Sequence, residues 1–293
     1  MVRKALYYEP RYYSQFNIYS SEPSKPVSKN LKMRHSSSCA KLELVQTVAI
    51  NLQQLNALDA RQLLEWAIQA YGSRFAIATS FQTDGLILID MAARIDSSVR
   101  VFTLDTGRLP QETYEAMDAV RDKYGIRVET VFPDAGEVER MTALHGANLF
   151  YRDAAFRKLC CHVRKTRPLE RKLAGFDAWA VGLRREQSEE RASLARAEMV
   201  DGRLKLSPLA DWTAAQVQEY LERNDVPQHP LTARGYASIG CAPCTRPISS
   251  GEHERAGRWW WESDGSKECG IHVTPEGQMR RTLDVLLEDI LVR

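Results

Sequence analysis

Six cysteines stand at positions 39, 160, 161, 241, 244 and 269, and their spacing carries the plainest chemistry in the chain. Cys160 and Cys161 are adjacent, and Cys241-Ala242-Pro243-Cys244 is a CxxC. A thiolate quartet split in this way suits either a zinc ion or a 4Fe-4S cluster. Neighbouring residues rarely aim both sulfurs at one small tetrahedral ion. A cubane offers separate iron corners, so the adjacent pair favours the cluster. Basic residues crowd the same stretches: Arg157, Lys158, Arg164, Lys165 and Arg167 around the pair, then Arg246, Arg255 and Arg258 after the CxxC. Charge runs are ordinarily solvated faces, but this convergence also suits a clamp for a phosphate- or sulfate-bearing anion. Cys269 stands apart in Lys267-Glu268-Cys269-Gly270-Ile271-His272, where Lys267 and His272 favour the thiolate, the reactive form. A lone cysteine is more often inert, yet this one lies in a polar, glycine-flanked segment. Trp259-Trp260-Trp261 are expected to pack that segment down, with nucleotide stacking the lesser role. Cys39 falls in a polar stretch and is assigned no role.

Three turns of polar and glycine residues would sit at strand ends. They are Thr79-Ser80-Phe81-Gln82-Thr83-Asp84-Gly85, Leu104-Asp105-Thr106-Gly107-Arg108 and Gly182-Leu183-Arg184-Arg185. Any one of them is explained by helix capping alone. Three on one sheet edge point to a ligand, because parallel sheets bind beyond the carboxyl ends of their strands. The first runs straight into a helix, whose hydroxyls and N-terminal amides suit a phosphate or sulfate.

Apolar periodicity supplies the elements behind those turns. It predicts helices over 52–70, 85–95, 110–124 (with Pro110 in the first turn), 137–144 and 213–224. It predicts strands over 75–79, 99–104, 128–132 and 178–181. Strands alternating with helices imply an α/β fold, a doubly wound and mostly parallel sheet. From Pro227 onward Pro, Gly, Cys and Arg dominate and no regular element is legible. Residues 1–45 hold Tyr7, Tyr8, Tyr12, Tyr13 and Ser36-Ser37-Ser38 without periodicity, and read as a weakly ordered extension. A transit peptide fits them poorly because of the clustered aromatics, and a mis-assigned start is the other reading. The domain organisation expected is therefore an extension over 1–45, an α/β nucleotide and cluster domain over 46–255, and a C-terminal segment over 256–293.

With 40 basic and 38 acidic residues in 293, the net charge of +2 gives no global case for nucleic-acid binding. No apolar run is long enough to span a bilayer and no secretion signal opens the chain. A cytoplasmic location with reduced cysteines is the expectation.

Taken in order, Leu104 to Leu109, Cys160 to Lys165, Trp179 to Ser188, Gly235 to Arg246, Arg255 to Glu262 and Lys267 to His272 resemble the assimilatory adenosine 5′-phosphosulfate (APS) reductases. These form a branch of the phosphoadenosine phosphosulfate reductase family. The resemblance runs from about residue 60 to 272. It implies a fold related to the ATP pyrophosphatases. It implies a 4Fe-4S cluster on Cys160, Cys161, Cys241 and Cys244, with Lys165 between cluster and substrate. It implies a phosphosulfate clamp of Arg255, Arg258 and His272, and substrate contacts from Ser80, Asp84, Leu104, Thr106 and Gly182. Arg191 joins them through a small length change after the Gln-Ser pair. Cys269 would be the nucleophile, thioredoxin the separate electron donor, and a homo-oligomer the expected assembly. The first turn departs from many relatives, which carry glycine after the serine and an acid before the aspartate. Alternatives are the same reaction on the 3′-phosphorylated nucleotide, a sulfur transferase acting on tRNA, and a zinc-stapled binding module with no activity.

Overall fold

The structure is a computed structural model that describes residues 50–262, 286–288, 290 and 291. Residues 1–45, Cys39, Cys269 and His272 lie outside the described residues, so the expectations placed on them do not meet a structural observation. The described residues belong to one compact unit.

The described strands are β1 (Phe75–Ala78), β2 (Arg100–Leu104), β3 (Val128–Val131), β4 (Ala178–Val181), β5 (Ala197–Val200) and β6 (Arg203–Leu206). They form one sheet in the order β3-β2-β1-β4-β6-β5, parallel throughout except for β5 against β6. Side chains alternate between faces, as strand geometry requires. Phe75, Ile77, Val101, Ala178 and Ala180 join a core with helices α2 (Ala60–Tyr71), α3 (Thr83–Ile95), α4 (Gln111–Tyr124) and α8 (Ala214–Asn224). Ala76, Phe102, Val131 and Trp179 face the other way, towards Leu173 of α7 (Arg167–Leu173). Helices thus cover both faces. Strand order reverses between β1 and β4, which opens a crevice at their carboxyl ends.

Three expectations are corrected. The helix over 52–70 is two helices, α1 (Leu52–Ala57) and α2: Leu58 turns extended, and Asp59 and Gln62 form a capping box that starts α2 afresh. Pro110 is the N-cap of α4, not a residue of its first turn. The sheet has two more strands than expected, β5 and β6, joined at Asp201 and Gly202, both with positive φ. Helix α5 runs over Ala135–His145, close to expectation. No helix among the described residues is long and apolar enough to cross a membrane.

Cys160 and Cys161 end α6 (Ala154–Cys161). The chain continues without a break through a π turn, His162–Thr166, into α7. A π turn widens the helix by one residue and is frequent at functional sites.

Candidate active site

Two adjoining cavities hold nearly all the described candidate residues. The larger is a cleft of about 910 Å³ at the crevice between β1 and β4, lined by Ser80, Asp84, Leu104, Lys165, Gly182, Arg191, Arg255 and Arg258. The smaller is a recess lined by Cys160, Cys161, Cys241 and Cys244 with Arg108, Phe150, Arg157, Arg164, Lys165 and Pro243. Lys165 borders both.

Close packing of backbones shapes the cleft floor. A Cβ on Gly182 would lie 2.6 Å from the Gly85 amide nitrogen and 2.7 Å from the Asp84 carbonyl carbon. Only glycine lets the end of β4 lie against the start of α3. Asp84 is buried and accepts from Arg184 Nε at 2.9 Å and Gln187 Nε2 at 2.5 Å. Burial raises its carboxyl above the ordinary range, against the pull of Arg184. Asp84 therefore fixes the two strand-end turns to one another. Leu104 lines the cleft directly. Arg191 donates to Gln187 Oε1.

Arg255 and Arg258 are 9% and 6% exposed, though both line the cleft. The guanidinium of Arg258 passes over Gly240, where a Cβ would stand 2.3 Å from Nη2. Its Nε donates to the Cys244 carbonyl at 3.2 Å. Arg157, Arg258 and Arg255 surround the Trp259 ring at 4.4, 4.6 and 6.0 Å from its centroid. The tryptophan thus packs beneath the basic groups.

Thr106 touches two residues of the recess, Cys241 and Arg164. Its hydroxyl lies 3.2 Å from Cys241 Sγ, and its carbonyl accepts from Arg164 at 2.6 Å. The four cysteines form no disulfide. Burial, then the nearby Cys241, pushes the Cys160 thiol up to about 11 and the Cys244 thiol up to about 12. Arg164 and Arg108 pull Cys160 the other way, as do Arg258 and Lys165 for Cys244. Among the described residues no group of three or more His, Cys, Asp or Glu side chains is gathered tightly enough for a single metal ion. The donor set is nonetheless all sulfur, arrayed round one basic recess. It fits a 4Fe-4S group, whose net negative charge with four thiolates the arginines would balance.

A model of the phosphoadenosine phosphosulfate reductase domain matches residues 74–247. The chain belongs to that reductase family. An APS reductase of Burkholderia cepacia is 45% identical over 233 residues, covering 79% of this chain and 91% of the relative. One from Allochromatium vinosum is 46% identical over 197 residues, covering 67% and 77%. Among solved structures, phosphoadenylyl-sulfate reductase from Candida auris, a phosphate complex, is 27% identical with a TM-score of 0.57, covering 67% of this chain and 96% of that one. The reductase family is one of oxidoreductase enzymes.

The sequence alone did not single out several residues that build the cleft. Arg184 and Gln187 hold Asp84. Gln82 bonds both Ser80 and Ile239. Thr113 lines the cleft and shares a 3.0 Å hydrogen bond with buried His229. His229 Nδ1 accepts from the Leu231 amide, so Nε2 carries the proton and donates to Thr113. The third turn flagged Arg184 only as part of a polar strand end. Its partner lies 100 residues away, beyond the range of any local pattern.

Proposed function

We propose that the chain reduces APS to sulfite and AMP, with Cys269 as nucleophile and a separate dithiol protein of the thioredoxin kind as electron donor. The observation that carries this reading is Lys165, which borders at once a recess of four cysteines and a basic cleft at the sheet's switch point. The relatives named APS reductase support the unphosphorylated 3′ position.

The Cys269 thiolate attacks the sulfur of the sulfate group. The bond from that sulfur to the bridging oxygen breaks, AMP departs with the electron pair, and Cys269 carries an S-sulfo group. A donor thiolate then attacks Cys269 Sγ and expels sulfite. The donor's second thiol resolves the mixed disulfide, so the donor is oxidised and Cys269 regains its thiol. Arg255, Arg258, Lys165 and Arg191 offset the repulsion between a thiolate and an anionic substrate. Each charge-assisted contact in a dry site contributes on the order of a few kcal/mol. His272 completes the clamp in this reading. Cys160, Cys161, Cys241 and Cys244 would hold the 4Fe-4S cluster, which supplies a fixed charge distribution beside the substrate. Gly182 and Leu104 line the cleft and would contact the nucleotide.

Anaerobically purified protein should contain iron and release sulfite from APS when a thioredoxin system is present. Incubation without donor should add one sulfonate to the peptide holding Cys269. Equal or better kcat/KM for the 3′-phosphorylated nucleotide would overturn the substrate assignment. A colourless zinc protein without turnover would overturn the whole reading.

A further inference from the structure

Gln82 occupies the N-cap position of α3, yet its side chain makes no capping bond. Its amide is used elsewhere. Oε1 accepts from the Ile239 amide at 2.7 Å, and Nε2 donates to Ser80 Oγ at 2.7 Å. The orientation of that amide is fixed by chemistry: a backbone N–H can only donate, so the carbonyl half must face Ile239 and the NH₂ half must face Ser80.

We infer that Gln82 is a positioning residue that aims the Ser80 hydroxyl proton into the cleft while tying the Ser80 turn to the cysteine-bearing segment. The inference rests on the reading of the cleft as a phosphosulfate site. Ser80 has one proton. With an oxygen lone pair taken by Gln82, that proton is free to donate, and Ser80 is an exposed residue of the cleft wall. An anionic oxygen is the acceptor that such a hydroxyl suits. Ile239 leads through Gly240 to Cys241, and the Gly240 amide donates to Thr245 Oγ1 at 3.1 Å. Gly240 is also where Arg258 crosses the chain. One side chain therefore joins the donor hydroxyl to the segment that carries a cysteine and meets a clamp arginine. The turn itself does not depend on Gln82. Phe81 pins it, with its ring fully buried and its amide donating to Thr79 Oγ1 at 3.0 Å.

Gln82→Glu separates the two roles. A carboxylate accepts from Ile239 as well as the amide does, so the tether stays. It cannot donate to Ser80, so Ser80 must donate to it, and the proton is withdrawn from the cleft. The expected result is a fall in kcat/KM for APS of about tenfold or more, carried mainly by KM, with thermal midpoint and iron content unchanged. In a Ser80→Ala background the same substitution should do much less. An equal loss in both backgrounds would mean that added charge, not the hydroxyl, is responsible, and would overturn the inference. So would wild-type kinetics for Gln82→Glu in a preparation whose parent protein turns over. A parent protein that releases no sulfite from this nucleotide overturns the functional reading, and this inference with it.

Discussion

At Gly182 two stretches of backbone approach so closely that a single methyl group has no room. The two nearest atoms it would meet are main-chain atoms of Gly85 and Asp84. Gly85 is itself hemmed in, since a Cβ there would stand 2.4 Å from Thr79 Oγ1. Gly182→Ala must therefore push β4 away from α3, at a cost of about 1–3 kcal/mol for overpacking. Denaturant unfolding should show that loss, and nucleotide affinity should fall with it. Unchanged values for both would show that the strand ends do not meet as described. The residue types at this site were legible in the sequence, as polar and glycine-rich strand ends. Their pairings were not. Asp84 with Arg184, Gln82 with Ile239 and Thr106 with Cys241 each join segments separated by 100 or more positions. Periodicity and capping rules read only near neighbours.

Edge strand β3 shows how charge holds an element that has little core of its own. Glu129 accepts from Arg100 Nε of β2 at 2.8 Å and from Lys172 of α7. These partners, Arg100 foremost, hold its carboxyl down at about 2. A depressed folded-state value means that the contribution is fully present above the unfolded value of about 4.3, and is lost as pH falls from there through about 2. The Glu129 side chain is 33% exposed, so solvent screening keeps the effect modest. Glu129→Gln should lower stability modestly above about pH 4.3 and converge with the parent protein as pH falls towards about 2, which flattens the profile between those values. A wild-type acid limb in the variant would sink the assignment. Among the strands that the sequence revealed, β1 and β4 are apolar throughout. Hairpin β5–β6 was missed because Glu198, Arg203 and Lys205 mask its alternation. Asp201-Gly202, a favoured pair for a tight hairpin turn, was the available signal. Likewise the basic residues on both sides of the cysteine pair, Arg157 and Lys158 before it and Arg164 and Lys165 after it, hid the helix and π turn that hold it.

Across the whole molecule, the chain's last described turn returns to the cysteines. Ile290 is fully buried in a cluster with Met141, Leu149, Cys160 and Trp259, and its carbonyl accepts from Arg140 Nε at 2.7 Å. Ile290→Ala should cost about 2–5 kcal/mol, as for other buried aliphatic truncations. It should also speed reaction of the Cys160 thiol with an alkylating reagent in metal-free protein. Wild-type thermal stability in this variant would show that the turn is not seated there. Fold class was legible from strands alternating with helices. The docking of residues 286–288, 290 and 291 was not, since so short an apolar stretch names no partner.

Phe81 has a consequence of another kind. It is a non-glycine residue with φ of 56°, a conformation that costs an L residue roughly 1–2 kcal/mol. Complete burial of its ring returns about 1.5–3 kcal/mol. Local preference therefore opposes the turn, and only the assembled core imposes it. The turn at Phe81 should therefore take its shape late in folding, after α3 has docked on the sheet. A peptide spanning it in isolation would not hold that shape.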